Sequence, residues 1–214
     1  MDTATIARLL RPFIQLDESQ LTNTSTYIDL LLKWNAWVNL TAVRDPEEIV
    51  TRHFGESFFA AQLLFPPGSQ RTGDEGTAID LGSGAGFPGL PLAMFASTVQ
   101  VTLIESNHKK AAFLNEVIFA LGLKNAKVFS QRAEVYPGTA DLVTMRAVER
   151  FERALAMALR LVAQAGRIAL MIGLSQANQT RALADSINWE EPVAIPGGHS
   201  RVLLVGTREA KNQK

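Results

Sequence analysis

The 214-residue chain contains no cysteine. That absence excludes a disulfide framework, a thiol nucleophile and a thiolate metal site together. The chain has no surplus charge of either sign, because Lys+Arg and Asp+Glu each number 21. A zero balance argues against a protein that coats nucleic acid in bulk, yet leaves room for a local basic face. Histidine is scarce. His53, His108 and His199 show no metal-ligand spacing, so no metal is expected. No apolar run reaches the length of a membrane span. The first residues, MDTATIARLLRPF, carry an acid at position 2 and arginines within the apolar part, unlike a secretory signal. These absences predict a soluble cytoplasmic protein without membrane contact. Nothing in the sequence demands a dimer, so a monomer is expected.

What is present is an ordinary globular composition, 47% hydrophobic and 20% charged, enough for a sizeable core. The first part reads as helical. Ile6, Leu9, Leu10 and Phe13 have helical spacing, with Pro12 as an end or kink. Asp17 suits the N-cap of a second helix with apolar Leu21, Tyr27, Leu30, Leu31, Trp34 and Val38. Asp45, Pro46 and two glutamates open a third, which Gly55 is expected to break in two. The polar, Pro/Gly-rich stretch 66–76 is the best boundary.

From Thr77 the pattern alternates. Strands are expected at 77–81, 100–104, 126–129, 141–145, 166–171, 190–195 and 201–207, and helices near 89–96, 108–121, 149–163 and 175–186. That alternation predicts an α/β fold, doubly wound and mainly parallel, with an antiparallel last strand after a hairpin-like PGGHS connection.

The stretch AIDLGSGAGFPGLPLAMF carries the chemistry. Four glycines, at 82, 84, 86 and 89, separate the first strand from its helix. They suggest a ligand that approaches the backbone closely. A phosphate-binding P-loop would need Gly-Lys-Ser/Thr, which is missing. A dinucleotide fingerprint, G-x-G-x-x-G, matches literally from Gly84 to Gly89, with Glu105 ending the second strand as the ribose acceptor. The bare alternative is a tight turn with no ligand. S-adenosylmethionine (SAM) explains more. Asp80 beside the glycines suits an ammonium and a sulfonium, and suits a pyrophosphate badly. Only about 125 residues follow the turn, too few for a sheet and a second catalytic domain.

Taken together, DLGSGAGFPGLPLA and LIESNHKKAAFLNEV resemble the class I SAM-dependent methyltransferases. More narrowly, KWNAWVNLTAVRDPEEIVTRHFGES, SQRAEVYP and DLVTMRAV resemble the RsmG (GidB) family, bacterial enzymes that methylate N7 of a guanine in 16S ribosomal RNA. The resemblance runs from about Ile28 to Val205, and its Trp-Asn-x-x-x-Asn-Leu-Thr element is the most specific part. It implies a Rossmann-like methyltransferase domain at 73–214 and an N-terminal helical region at 1–72 on the RNA side. It implies SAM as cosubstrate, S-adenosyl-L-homocysteine as product and the small ribosomal subunit as partner. By the same resemblance Gly82, Phe87, Ala133, Glu134 and Arg146 fall where the family contacts SAM, Ala133 through its backbone. Asp80, Gly84 and Glu105 join them from the residue chemistry. Arg146 is the one residue also assigned to catalysis; its alternative is a structural pair with Glu134 or Glu149. Where the family often has Lys-Gly after strand five, this chain has Ile172-Gly173, which puts the substrate contacts there in question.

A flipped or unpaired base would stack on Phe87, Phe151, Trp34 or Trp37, with Trp34 more in keeping with a core role. Arg8, Arg11, Lys33, Arg44, Arg52, His53, Arg146, Arg150, Arg153 and Arg201 are the candidates for phosphate contact, no more than half of them real. Arg150 and Arg153 could instead pair with Glu149 and Glu152. Three other functions stay open: a SAM enzyme for a small molecule, a NAD-binding module, and a ribosome-associated factor without turnover.

Overall fold

Residues alternate across the strands, and the alternation sorts the core into two layers. In β1 (Thr77–Leu81), Ala78 enters one apolar cluster, Ile79 and Leu81 the other. The same division holds in β2 (Gln100–Ile104), β4 (Ala140–Arg146) and β5 (Val162–Gly173). A sheet apolar on both faces must be covered on both. The structure, a computed structural model, describes residues 1–66, 76–146, 150–198 and 200–209.

One face is covered by α5 (Gly89–Phe95), α6 (His108–Ala120) and the N-terminal helices α1 (Thr3–Leu10), α2 (Glu18–Asn35), α3 (Pro46–Ile49) and α4 (Glu56–Leu64). The other is covered by α7 (Phe151–Leu161) and, beside it, α8 (Leu174–Leu183). With β3 (Ala126–Phe129), β6 (Ile187–Trp189), β7 (Val193–Ala194) and β8 (Arg201–Arg208), the strand order is β3-β2-β1-β4-β5-β8-β6, with β7 on β8. The strands β1 to β5 are parallel, and β8 runs antiparallel to β5 and β6. The doubly wound sheet with an antiparallel last strand is therefore present. β8 lies inside the sheet, between β5 and β6.

Three local expectations need correction. The single strand expected at 190–195 is two short ones, β6 and β7, on either side of Pro192, which has no N–H to offer β8. β5 starts earlier than expected, and a register shift against β4 absorbs Ala165 at φ 57°. Gly55 does not break a helix. The chain runs from α3 through a π-helical turn at Val50–Gly55 straight into α4. Glycine is needed there because a Cβ would meet the Phe13 ring at 2.7 Å. The proposed boundary near residue 72 lies outside the described residues.

The glycine turn also answers to packing. A Cβ at Gly89 would collide with Leu103 and with Asp80, whereas one at Gly84 meets only the Gly82 carbonyl at an ordinary 3.7 Å and an unfavourable φ of 56°. Gly89→Ala is therefore expected to cost about 3 kcal/mol by overpacking, and Gly84→Ala about 1 kcal/mol by left-handed strain alone. Urea denaturation of the two variants measures the difference.

Candidate active site

The turn after β1 is fixed from below. Gly82 N–H donates to Ile104 C=O at 2.9 Å, and Gly86 N–H to Ser83 C=O at 2.6 Å. The Tyr27 hydroxyl, from α2, donates to Ala85 C=O at 2.5 Å. Asp80 is 1% exposed. One carboxylate oxygen accepts from the Thr144 hydroxyl at 2.9 Å, and the other from Gly89 N–H at 3.2 Å. Burial pushes this carboxyl up to about 6, against the pull of those hydrogen bonds. The expected contact of Asp80 with a bound ammonium has no opening here. The carboxylate instead ties β1 to β4 and to the start of α5.

Above the C-terminal strand ends lies a cavity of about 520 Å³, of the size small-molecule sites have. Leu81 and Gly82 line it from β1, Ile104, Glu105 and Ser106 from β2, Gln131 to Glu134 after β3, and Arg150, Arg153, Ala154 and Met157 from α7 and its start. Gly82, Glu105, Ala133 and Glu134 thus share one cavity, while Asp80, Gly84, Phe87 and Arg146 are not among its lining residues. Glu105 accepts from Gly84 N–H at 2.9 Å and Asn107 N–H at 2.7 Å. A carboxylate has about four acceptor sites, so about two remain open to donors from a ligand. The Ala133 carbonyl accepts from Arg160 at 2.5 Å and from Tyr136 N–H at 3.1 Å. Glu134 pairs with Arg153 at 2.9 Å. That pair joins two walls of the cavity, and replaces the local Arg153–Glu152 pair the sequence suggested. Glu152 instead accepts from Gln179, and Glu149 lies outside the described residues.

Phe87 is no stacking platform. Its ring lies between Tyr27, at 5.4 Å and 3°, and His53, at 5.0 Å and 26°. Trp34 packs on Phe113 and donates to Glu116 at 2.9 Å. Phe151 is partly buried in the core, and Trp37 alone of the four candidates is widely exposed, at 85%.

Arg146 ends β4, one residue past the Leu81–Met145 pairing, and so stands beside Gly82 at the crevice. Its side chain turns toward the N-terminal helices. Nη2 donates to Arg52 C=O at 2.7 Å, meets His53 Nδ1 at 3.2 Å and lies 3.2 Å from Glu56 Oε2. The other Glu56 oxygen pairs with Arg201 at 2.5 Å. The alternative partner suggested for Arg146, Glu134, is engaged elsewhere; Glu56 is the partner. Burial pushes the Glu56 carboxyl up while the two guanidiniums pull it down. Sequence reading missed Glu56. A lone carboxylate between Phe54 and Phe58, at the head of an apolar helix, was the available signal.

Of the residues considered for phosphate contact, His53, Arg146 and Arg201 are thus engaged within the chain, Arg201 with its side chain still 32% exposed. Arg8 and Arg52 face Glu47 and Glu48, and Arg44 binds Asn35 and Asn39. Ile172, in place of the family lysine, is 6% exposed and packs in the core. Among the described residues no three His, Cys, Asp or Glu side chains are grouped to hold a metal ion, and no helix is long and apolar enough to cross a membrane.

This architecture is that of known methyltransferases. A ribosomal protein L11 methylase from Lactobacillus delbrueckii subsp. bulgaricus superposes with TM-score 0.60 at 11% identity, over 74% of this chain and 79% of its own. A SAM-dependent O-methyltransferase from Thermotoga maritima gives 0.57 at 16%, over 74% and 66%. Those likenesses establish the fold. Sequence decides the family. The model for GidB, rRNA small subunit methyltransferase G, matches residues 20–202. The chain belongs to that family. Ribosomal RNA small subunit methyltransferase G of Xanthomonas campestris pv. campestris (strain B100) is 38% identical over 177 residues, 80% of this chain and 78% of its own. That of Xanthomonas oryzae pv. oryzae (strain KACC10331 / KXO85) is 35% identical over 214 residues, 98% and 90%. Methyltransferase G membership makes the chain an rRNA methyltransferase. The matched region begins inside α2, so it takes in most of the N-terminal helical part but not α1.

Two predictions follow from the buried charges. Asp80 holds its proton more tightly when folded, so its contribution favours the fold below about pH 4 and is lost as pH rises through about 6. Relative to Asp80→Asn, the natural chain should lose about 3 kcal/mol across that window. His53, lowered to about 3 chiefly by burial and next by Arg146, has the opposite slope and cancels in the comparison. Urea titrations of both proteins at a series of pH values test it. Glu56→Ala leaves Arg146 and Arg201 without their carboxylate, and is expected to destabilise by about 3–5 kcal/mol, read from the same titrations.

Proposed function

We propose that the protein transfers a methyl group from SAM to N7 of a guanine in 16S rRNA of the small ribosomal subunit, in the cytoplasm and as a monomer. The observation that carries the donor assignment is the cavity that brings Gly82, Glu105, Ala133 and Glu134 together over the strand ends, where doubly wound sheets bind ligands. Glu105 suits the ribose hydroxyls, Ala133 and Glu134 the adenosine side, and Gly82 the close approach near the methionine part. Gly84 acts through its bond to Glu105. Asp80 and Phe87 support the turn from beneath, and Arg146 stands at its far side.

When bound, SAM supplies a methyl group on a positively charged sulfur. The guanine N7 lone pair forms the new N–C bond, the S–C bond pair stays on sulfur, and positive charge passes from sulfonium to purine. No proton must leave N7 first, so no general base is required. The chain's task is alignment and exclusion of water. Residues 1–72 form the RNA-facing region in this reading. Arg11 and Lys33 there, and Arg150 beside the cavity, are basic residues not engaged in the pairings described above, and they are the candidates for phosphate contact.

The test is methyl incorporation from labelled SAM into small subunits lacking the modification, followed by mapping of the labelled base. Label at N7 of one 16S guanine is expected. Ala154→Trp, which fills the cavity from α7, should weaken SAM binding at least about tenfold and abolish labelling, since a blocked site excludes its ligand. Label on another atom, or undiminished SAM binding in Ala154→Trp, would refute the assignment.

A further inference from the structure

The Trp-Asn-x-x-x-Asn-Leu-Thr element and the RHFGES segment behind it hold several polar side chains that donor binding leaves unexplained. In the structure they form one connected chain. Asn35, at the end of α2 and 5% exposed, accepts from Leu40 N–H and Thr41 N–H through Oδ1, and donates to Thr41 C=O at 3.1 Å. That knot places the Thr41 hydroxyl 2.8 Å from His53 Nε2. His53 Nδ1 then meets Arg146 Nη2 at 3.2 Å. A guanidinium can only donate, so Nδ1 accepts and Nε2 carries the proton, given to Thr41. The same Nη2 lies 3.2 Å from Glu56 Oε2, and the other Glu56 oxygen holds Arg201.

This degree of fixation is unusual for a residue whose only task is to fill space. Arg146 Nη2 is surrounded by the Arg52 carbonyl, His53 and the Glu56 ion pair, yet Nη1 is buried with no hydrogen-bond partner, as are Glu56 Oε2 and Arg201 Nε in the same cluster. A buried, unpaired guanidinium nitrogen is costly to leave unmet, and calls for an acceptor from a bound reactant.

We propose that His53 and Glu56 are positioning residues for Arg146 in methyl transfer: they fix Nη2 so that Nη1 is left to meet an acceptor on the reactants. Thr41 acts one step behind, by selecting the His53 tautomer. The burial that keeps His53 uncharged agrees with this, because a protonated ring would present a donor to a donor. The charged groups facing it are Arg146, Arg52 and Arg201, with Glu56 as the counter-charge. Glu56 also offsets two positive charges next to a reaction that moves a positive charge from sulfur to purine. The proposal rests on the methyltransferase reading above and extends it to residues outside the cavity.

Two near-isosteres separate positioning from packing. Asparagine at 53 places an oxygen near the Nδ1 position, where it can accept from Arg146. Glutamine places its amide near Nε2 and offers Arg146 nothing. Both forfeit the ring against Phe87, so both should lower the melting temperature alike. Labelling of subunits is expected to remain within a few-fold of normal in His53→Asn and to fall roughly tenfold to a hundredfold in kcat/KM in His53→Gln, the range for a misplaced aligning group. Equal losses in the two, or no loss in His53→Gln, would overturn the proposal. Should either fail to fold, Thr41→Val and Thr41→Ser decide it: lower activity in the first only supports positioning, and equal activity refutes it. Failure of the unmodified protein to label subunits would defeat the underlying function and this proposal with it, whereas labelling with equal isostere effects defeats the proposal alone.

Discussion

The buried carboxylate of Asp80 is the constraint on which the site depends. It reaches Thr144 on β4 and Gly89 at the start of α5, from a position on β1 that is almost fully buried. Those contacts fix where β1 stops, how the turn rises and where α5 begins. Gly89 must then lack a side chain, since Asp80 and Leu103 occupy its place. The cavity lies over the start of that turn, with the end of β2, the segment after β3 and α7 around it. A carboxylate beneath the floor can set the shape of a site without touching its ligand.

A second buried carboxylate, Glu56, performs a comparable joining at larger scale. Through Arg146 it connects the N-terminal helices to β4, and through Arg201 to β8. The π-helical turn before it brings the Arg52 carbonyl and the His53 ring to the same guanidinium. Widened helical turns of this kind are frequent at functional sites. The aromatic stack Tyr27–Phe87–His53 runs alongside, so the glycine turn and the arginine cluster share a wall. The N-terminal helices and the sheet therefore meet through a packed apolar core and through a chain of directed polar contacts.

Much of this was legible in sequence. Apolar runs alternating with helical segments pointed to the parallel sheet, and the four glycines after β1 marked the crevice. The family-specific motifs were legible as a resemblance that the family match then supported. Side-chain direction was less accessible. Phe87 looked like a contact surface, yet both of its faces are covered by residues from α2 and the π-helical turn. Arg153 looked like half of a local helix pair, yet it crosses the cavity to Glu134. Glu56 drew no attention at all. In each case the deciding partner is distant in sequence, and composition along a chain holds no record of what folds against it.

The sequence by itself determined the α/β class, the strand and helix alternation and the family, because periodicity and turn chemistry are local and act over a few residues. The tertiary structure alone decided which carboxylates support the site and which face it. Asp80 and Glu105 both stand at C-terminal strand ends, each bonded to an amide of the glycine turn. One is sealed beneath α5 and pushed up to about 6 by burial, and the other lines the open cavity. Depth in the sheet, which no spacing encodes, separates a scaffold carboxylate from one that can meet a ligand.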